Sequence, residues 1–298
     1  MPCRALTLAP ILLGGIVAAA NAQEVSASWW PETPSQGSFT YVTVGIAGQE
    51  PTVVRGALDR APLHFERRDD RFVALAAVRI DATDSVRLAL WIEFGDDLVE
   101  TTSRWLPVTR TAFAIERLTV APEFSERPDS ALAARIEREV AQALAVSRRA
   151  HETPRLWREA FNAPRVSRVT SPYGKGRIFN GELRSRHMGT DFDGNSGDPV
   201  LVANRGVVEL IGDFYYAGSV IYVNHGAGVV TAYMHLSESL VSVGDTVTRG
   251  QLIGRVGQSG RVTGPHLHWT AKYGTASMNA LSLLGLPALE AVAQPGSP

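Results

Sequence analysis

The chain has a single cysteine in 298 residues, Cys3. No disulfide can staple its fold, and thiol chemistry is excluded everywhere past residue 3. An excess of charge of one sign is also lacking. Lys and Arg number 29 against 30 Asp and Glu, a net charge of −1, which gives no argument for nucleic acid or a polybasic membrane surface. After the first twenty or so residues no hydrophobic run is long enough to span a bilayer. Three catalytic signatures are missing as well. There is no H-E-x-x-H helix and no G-x-S-x-G elbow, since Gly257-Gln-Ser-Gly260 has the wrong spacing. No Walker lysine accompanies the glycines from Gly244 to Gly264, which punctuate Val/Ile runs and read as β-turns.

What is present begins with Met1–Ala22, which has the form of a secretory signal: Arg4, an apolar run from Ala5 to Ala20, and an A-x-A site at Ala20-Asn21-Ala22. Cleavage after Ala22 is expected, removing Cys3 and leaving no stable membrane span. The protein is then exported, to the periplasm or cell envelope or beyond.

The remaining chain of about 276 residues is long enough for two domains. The fold class expected is mainly β. Residues 23–120 carry short β-like runs at Tyr41–Ile46, Thr52–Val54, Arg71–Val78, Ser85–Phe94 and Ala112–Val120. They are separated by Pro, Gly, Asp and Asn, the pattern of an Ig-like β-sandwich. Trp29, Trp30, Trp91 and Trp105 fall here, either as core or as a sugar-binding face. Residues 121–164 read as a connector. A helix over 129–150 is capped by Asp129 or Ser130, with Leu132, Ile136, Val140 and Leu144 on one stripe. A linker from His151 to Pro164 then follows, which could cross a cleft. Residues 165–287 are again β-rich with turn glycines, and 288–298 form a flexible tail.

The informative residues lie in that last domain. His187-Met-Gly-Thr-Asp191, Tyr233-Met-His235 and Pro265-His266-Leu-His268-Trp269 supply four histidines and an aspartate. On a strand, residues i and i+2 share a face, so His266 and His268 point one way and Leu267 and Trp269 the other. His187 and Asp191 can share a face too, with Gly189 suggesting a loop entering a strand. His235 ends an apolar run from Gly228 and can reach the same face from a third strand. A catalytic zinc takes three such ligands and keeps a position open for water. The histidines left over are free for proton work. His225, in an Asn-His-Gly turn, and His64 and His151, with no partners nearby in sequence, read as structural.

With Phe192, Leu236-Ser237 and Gly264 added, these stretches resemble the LytM/lysostaphin-type zinc metallopeptidases, which hydrolyse peptide bonds in bacterial peptidoglycan. The flanks share the resemblance: Ser171-Pro-Tyr-Gly174, Asn180-Gly181, Gly244 to Gly257, and Ser259-Gly-Arg261. It covers about residues 165–285. It implies an antiparallel sheet with a zinc groove on one face, and one Zn2+ held by His187, Asp191 and His268. His235 and His266 are then the catalytic histidines that do not bind zinc. Next to a ligand, His266 is favoured as general base, with His235 orienting or stabilising the oxyanion; on sequence alone the roles are interchangeable. Thr270 stands where a glutamate is common, and Asn279 where an aspartate is. The expected partner is a peptidoglycan peptide, in a groove that Tyr173, Phe179, Tyr215, Tyr216 and Tyr233 would suit. The N-terminal domain could bind an envelope protein. The alternative from another class is a zinc-bound regulator that docks cell wall or an amidase and turns over little.

Overall fold

The computed structural model describes residues 24–95, 98–118, 128–179 and 182–289. The expected signal segment and nearly all of the expected tail lie outside them.

Among the described residues eight strands come first: β1 (Glu24–Trp30), β2 (Phe39–Ala47), β3 (Pro51–Leu58), β4 (Ala61–Leu63), β5 (Glu66–Arg68), β6 (Arg71–Ala77), β7 (Ser85–Phe94) and β8 (Val99–Pro107). They form two four-stranded sheets, ordered β1-β2-β6-β5 and β4-β3-β7-β8. Strand β7 shows why. Val86, Leu88, Leu90, Ile92 and Phe94 are buried while Arg87 and Trp91 face solvent, the alternation of a half-buried antiparallel strand. Val42, Val44, Ala74 and Ala76 of the first sheet meet Leu58, Leu88, Leu90 and Leu106 of the second in one core. Each fully buried Leu there contributes about 1.5–3 kcal/mol of transfer free energy.

The strand expected across 112–120 forms as β9 (Ile115–Leu118) but joins neither sandwich sheet. Helix α1 follows (Ser130–Arg149), capped by the Asp129 carboxylate, which accepts from Leu132 N at 2.8 Å. Its buried residues are Glu139, Ala143, Val146 and Ser147, whereas Val140 of the expected stripe is exposed. The residues of this segment that join the core against the sheet are Ala143, Val146 and, just beyond the helix, Ala150.

The C-terminal domain contains β10 (Val169–Ser171), β11 (Gly176–Phe179), β12 (Glu182–Arg186), β13 (Thr190–Asp193), β14 (Pro199–Leu201), β15 (Gly206–Phe214), β16 (Gly218–Gly226), β17 (Val229–Ser239), β18 (Thr246–Val247), β19 (Leu252–Val256), β20 (His266–Tyr273), β21 (Ala276–Met278) and the short α2 (Leu281–Leu284). Its large antiparallel sheet is ordered β10-β13-β20-β17-β16-β15-β18, with β19 joined to β14 and β17, and β21 to β20. A separate small sheet, β12-β11-β9, takes β9 in parallel to β11.

The large sheet is covered on both faces. One face packs Leu267, Trp269, Ala271 and Tyr273 of β20 with Trp157 and Phe161 of the linker and with Phe39, Tyr41, Val73 and Leu75 of the sandwich. Strands β2 and β6 therefore serve two cores, odd residues facing the C-terminal domain and even residues facing the sandwich. Hydrogen bonds tie this junction: Phe39 N to Ser282 Oγ at 3.0 Å, Tyr273 Oη to the Pro62 carbonyl at 2.7 Å, and Arg155 to both Glu66 oxygens at 2.6 and 2.8 Å. The opposite face packs Val220, Tyr222, Val230 and Ala232 against Ala143, Val146 and Ala150 in and just beyond α1. The linker thus runs behind the sheet and not across the histidine face. Among the described residues, none from 151 to 164 lines the groove around His266.

Candidate metal centre and the groove around it

Strand pairing builds the centre. Asp191 of β13 lies directly opposite His268 of β20, and Asp193 opposite His266. Opposed residues of an antiparallel pair share a face, so Asp191, His266 and His268 project together. Met234 of β17 lies opposite His268 on the other side, which makes this the face that α1 covers further along. His187 enters from the turn before β13. A Cβ on Gly189 would stand 2.5 Å from His268 Nε2 and 2.8 Å from the Trp269 carbonyl, so only glycine allows this approach.

His187 Nε2, Asp191 Oδ1 and His268 Nδ1 all lie within 4.8 Å of one another. The individual separations are 3.0 Å for His187–Asp191, 3.0 Å for His187–His268 and 2.6 Å for His268–Asp191. His187 Nδ1 sits 3.0 Å from the Pro172 carbonyl, which can only accept. The proton is therefore on Nδ1, and the Nε2 lone pair points inward. Convergent lone pairs on two imidazoles and a carboxylate repel one another unless a cation lies between them. This donor set fits zinc. Burial alone would raise the Asp191 pKa, but whenever the His187 and His268 rings are protonated their hydrogen bonds and charge hold it well below the ordinary carboxylate range. The carboxylate is thus ionised and able to bind metal.

His235 reaches the centre by a backbone device. Ordinary alternation after Met234 would turn it into the core. It instead adopts φ 62°, the left-handed region, while Leu236 returns to the core behind. Such a conformation costs a non-glycine residue on the order of 1–2 kcal/mol. Its Nδ1–H donates to the Ser259 carbonyl at 2.8 Å, so neutral His235 presents its Nε2 lone pair. Burial, then the neighbouring His268 and His266, push its pKa down to about 3. His266 is held alike, Nδ1–H to the Gly264 carbonyl at 2.8 Å, with Nε2 3.8 Å from Asp191 Oδ1. The two rings stand 4.9 Å apart.

Three further residues complete the site. Arg177 of β11 donates to Asp191 Oδ2 at 3.0 Å, on the oxygen turned away from the other two donors. Glu116 of β9 accepts from Arg177 Nε at 2.7 Å, from Lys175 at 3.1 Å, and from Ser171 Oγ at 3.1 and 3.2 Å. Ser171 Oγ in turn lies 3.2 Å from His187 Nδ1. Burial opposes the Glu116 charge, yet Arg177 and Lys175 keep its pKa lowered. Ser171 was visible as a motif flank. Glu116 was not, because it is a lone acid that meets Arg177 across 61 positions through a parallel strand pair.

Several other expectations resolve differently. Tyr233 is fully buried behind the sheet, its hydroxyl accepting from Ala203 N, and Tyr173 is buried with its hydroxyl on the Ser277 carbonyl. Tyr216 lies under the Arg261 guanidinium at 4.3 Å and against Tyr215. The Phe179 side chain lies outside the described residues. Trp29 and Trp30 pack against cores, whereas Trp91 and Trp105 are 43% and 65% exposed on the outer sandwich face. His225 is structural, bonded to the Arg205 carbonyl and Thr231. His64 and His151 meet each other at 2.8 Å where the sandwich joins the C-terminal domain.

Residues 185–280, which contain all five of the histidines and aspartate singled out, match peptidase family M23. The chain carries an M23 peptidase domain. A Pseudomonas aeruginosa crystal structure provisionally described as peptidase M23 is 26% identical, with a TM-score of 0.64 over 85% of this chain and 96% of that one. The likeness therefore extends beyond the M23 domain into the sandwich. Peptidoglycan DD-endopeptidase ShyA of Vibrio cholerae is 44% identical over 103 residues, 34% of this chain and 24% of that protein. DD-carboxypeptidase/endopeptidase Mpg of Neisseria meningitidis serogroup B is 35% identical over 117 residues, 39% of this chain and 27% of its own length. The match spans only about a quarter of these two relatives. Among the described residues no helix is long and apolar enough to cross a membrane.

Proposed function

We propose that the protein is an exported zinc metalloendopeptidase that hydrolyses peptide bonds of bacterial peptidoglycan, in the cross-bridge or the stem peptide. The observation that carries this reading is the convergence of His187 Nε2, Asp191 Oδ1 and His268 Nδ1, with two further histidines at its rim. One zinc ion held by these three residues supplies Lewis acidity to a water and to the scissile carbonyl. The surrounding residues do the rest. His266 takes the water's proton at Nε2, because its Nδ1 is already committed to the Gly264 carbonyl. Once protonated, the same Nε2–H is a donor and can deliver the proton to the leaving amine. His235, neutral and buried, accepts a hydrogen bond at Nε2 and so orients the attacking water. The Arg177–Glu116 pair fixes the Asp191 carboxylate and, through Ser171, the His187 ring. Peptidoglycan as substrate is supported by the activities named for ShyA and Mpg, to which part of this chain is similar. Export fits that target, which lies outside the cytoplasmic membrane.

The test is a digest of purified sacculi with the chain starting at Gln23, read by mass spectrometry, with His266→Ala as control. Release of fragments cut at a peptide bond, absent with the variant, is the expected result. Bound zinc with no release would instead favour a regulator that turns over little.

A further inference from the structure

Among the described residues the buried carboxylates are Asp191, at the candidate metal centre, and Glu139, in the middle of α1. A buried carboxylate is destabilising unless the oxygens it turns inward are met by donors. Glu139 is met twice. Its Oε1 accepts from Arg135 Nε at 2.6 Å, and its Oε2 accepts from the backbone N–H of Tyr215 at 2.9 Å. Arg135 also donates to the Asp213 carbonyl at 2.9 Å. Docking of the helix does not need this charge, because Ala143, Val146 and Ala150 already supply an apolar contact, and apolar packing serves docking at least as well as a buried ion.

What Glu139 holds is the three-residue turn Tyr215–Ala217 between β15 and β16. Each turn residue commits one backbone group to a different neighbour. The Tyr215 N–H goes to Glu139. The Tyr216 carbonyl accepts from Arg261 N at 2.9 Å, and the Ala217 carbonyl accepts from His235 N at 2.9 Å. Two glycines interlock this turn with the loop that carries Ser259. Gly218 has φ 62° and Gly260 φ 74°; a Cβ on the first would overlap Ser259, and one on the second would overlap Gly218 N. Ser259 completes the mould around His235. Its carbonyl accepts from the His235 ring at 2.8 Å, while its hydroxyl accepts from Ser219 N and donates to the Leu236 carbonyl, both at 2.9 Å. The left-handed backbone at His235 is thus held at its N–H, its ring and the next carbonyl by parts that meet at this turn. Such a conformation persists only where its surroundings over-determine it.

We infer that Glu139 is a positioning residue for His235, acting through the Tyr215–Ala217 turn, so that a helix outside the M23-matched segment sets the geometry of turnover. The inference rests on the endopeptidase reading and adds to it a part that residues 185–280 do not contain. The Glu139 hydrogen bonds go to Arg135 and Tyr215, and none goes to His187, Asp191 or His268, so its removal should spare the metal.

The experiment uses the zinc-loaded full chain and a synthetic cross-linked stem peptide. Glu139→Ala should lower kcat about 10- to 100-fold, the effect of a small misplacement of a catalytic group, with KM and zinc content kept. Glu139→Gln, whose amide oxygen still accepts from Tyr215 N, should keep the greater part of kcat. Arg149→Met cuts a different tie of the same helix, to Glu209 at 2.9 Å, and should leave kcat unaltered. Residue-resolved amide exchange gives a second readout: in Glu139→Ala the His235 amide should exchange about tenfold faster or more, while Thr231 and Ala232 on the same strand keep their protection. An unchanged kcat in folded Glu139→Ala, or an equal loss in Arg149→Met, overturns the inference and leaves the endopeptidase standing. Should Glu139→Ala not fold, Arg135→Met, at a side chain 43% exposed, removes the tie to Asp213 and should show the same split in smaller measure; an unchanged kcat there overturns the inference. If the unaltered protein cuts no peptide, the endopeptidase reading falls by itself and amide exchange decides. Faster exchange at His235 in Glu139→Ala keeps the positioning role, and unaltered exchange removes it.

Discussion

The two faces of the large sheet are made by the same strands and do opposite things. Behind it, Leu267, Trp269, Ala271 and Tyr273 of β20 join a core continuous with the linker and the sandwich. In front, His266, His268, Thr270 and Lys272 of the same strand stand beside a carboxylate and an inverted backbone turn at His235. The period of two along a strand separates these duties residue by residue. Stability is concentrated on one face, and the backbone strain of a binding site is held on the other. The sandwich belongs to the stabilising side, since it packs behind the sheet.

The comparison breaks most sharply at β20 itself. His268→Ala should abolish zinc binding and turnover together, whereas His266→Ala should keep the metal and lose turnover. Metal analysis and peptide cleavage on both purified variants read this out, and zinc lost from His266→Ala but kept by His268→Ala would reverse the assignment. On the back face, Trp157→Ala should cost about 3–5 kcal/mol of unfolding free energy in denaturant titration while zinc affinity is kept. A loss of affinity in the folded variant would show that the faces are not independent. Glu116→Gln removes the charge that holds Arg177 on Asp191 without opening a cavity. Zinc affinity should weaken about 10- to 100-fold, measured by chelator competition, with thermal stability nearly unaltered. An unchanged affinity would make Glu116 a bystander.

The smallest effect is on pH dependence. Burial pushes the pKa of His225, on the back face, down to about 4 against an ordinary 6.5. The unfolded chain therefore binds a proton first as pH falls. Stability is complete well above pH 6.5, declines through the window from 6.5 to 4, and levels off below it. The loss between pH 7 and 6 is about 0.7 kcal/mol. His225→Gln should show a shallower slope of stability against pH, whatever its absolute stability; an unchanged slope would assign the titration elsewhere. His151, also lowered to about 4 by burial and then by His64, adds to that slope in the wild-type chain.

Much of this was legible beforehand, for reasons that the structure makes plain. The parity of His266 and His268, the even spacing of His187 and Asp191, the Asp129 cap and the alternation of Ser85–Phe94 are local properties, written in residues a few positions apart. The approach of His187 was signalled by Gly189 for the same reason. Val140 was misplaced because four-residue spacing names a helical stripe without saying which part of it meets the sheet. Tyr173 and Tyr233 were misplaced because an aromatic side chain suits a groove or a core equally well, and only the neighbouring strands choose.

By itself the sequence determined the β-rich class, the connector helix and the set of side chains able to hold a metal, since all of these follow from short-range periodicity and residue chemistry. Tertiary structure alone decided which strand lies beside which. It brought Glu116 across 61 positions to Arg177, turned His235 forward through a left-handed backbone, laid α1 over the histidine face and placed the sandwich behind. Those outcomes depend on pairing and packing between distant segments, where the gain in burial overrides any local preference.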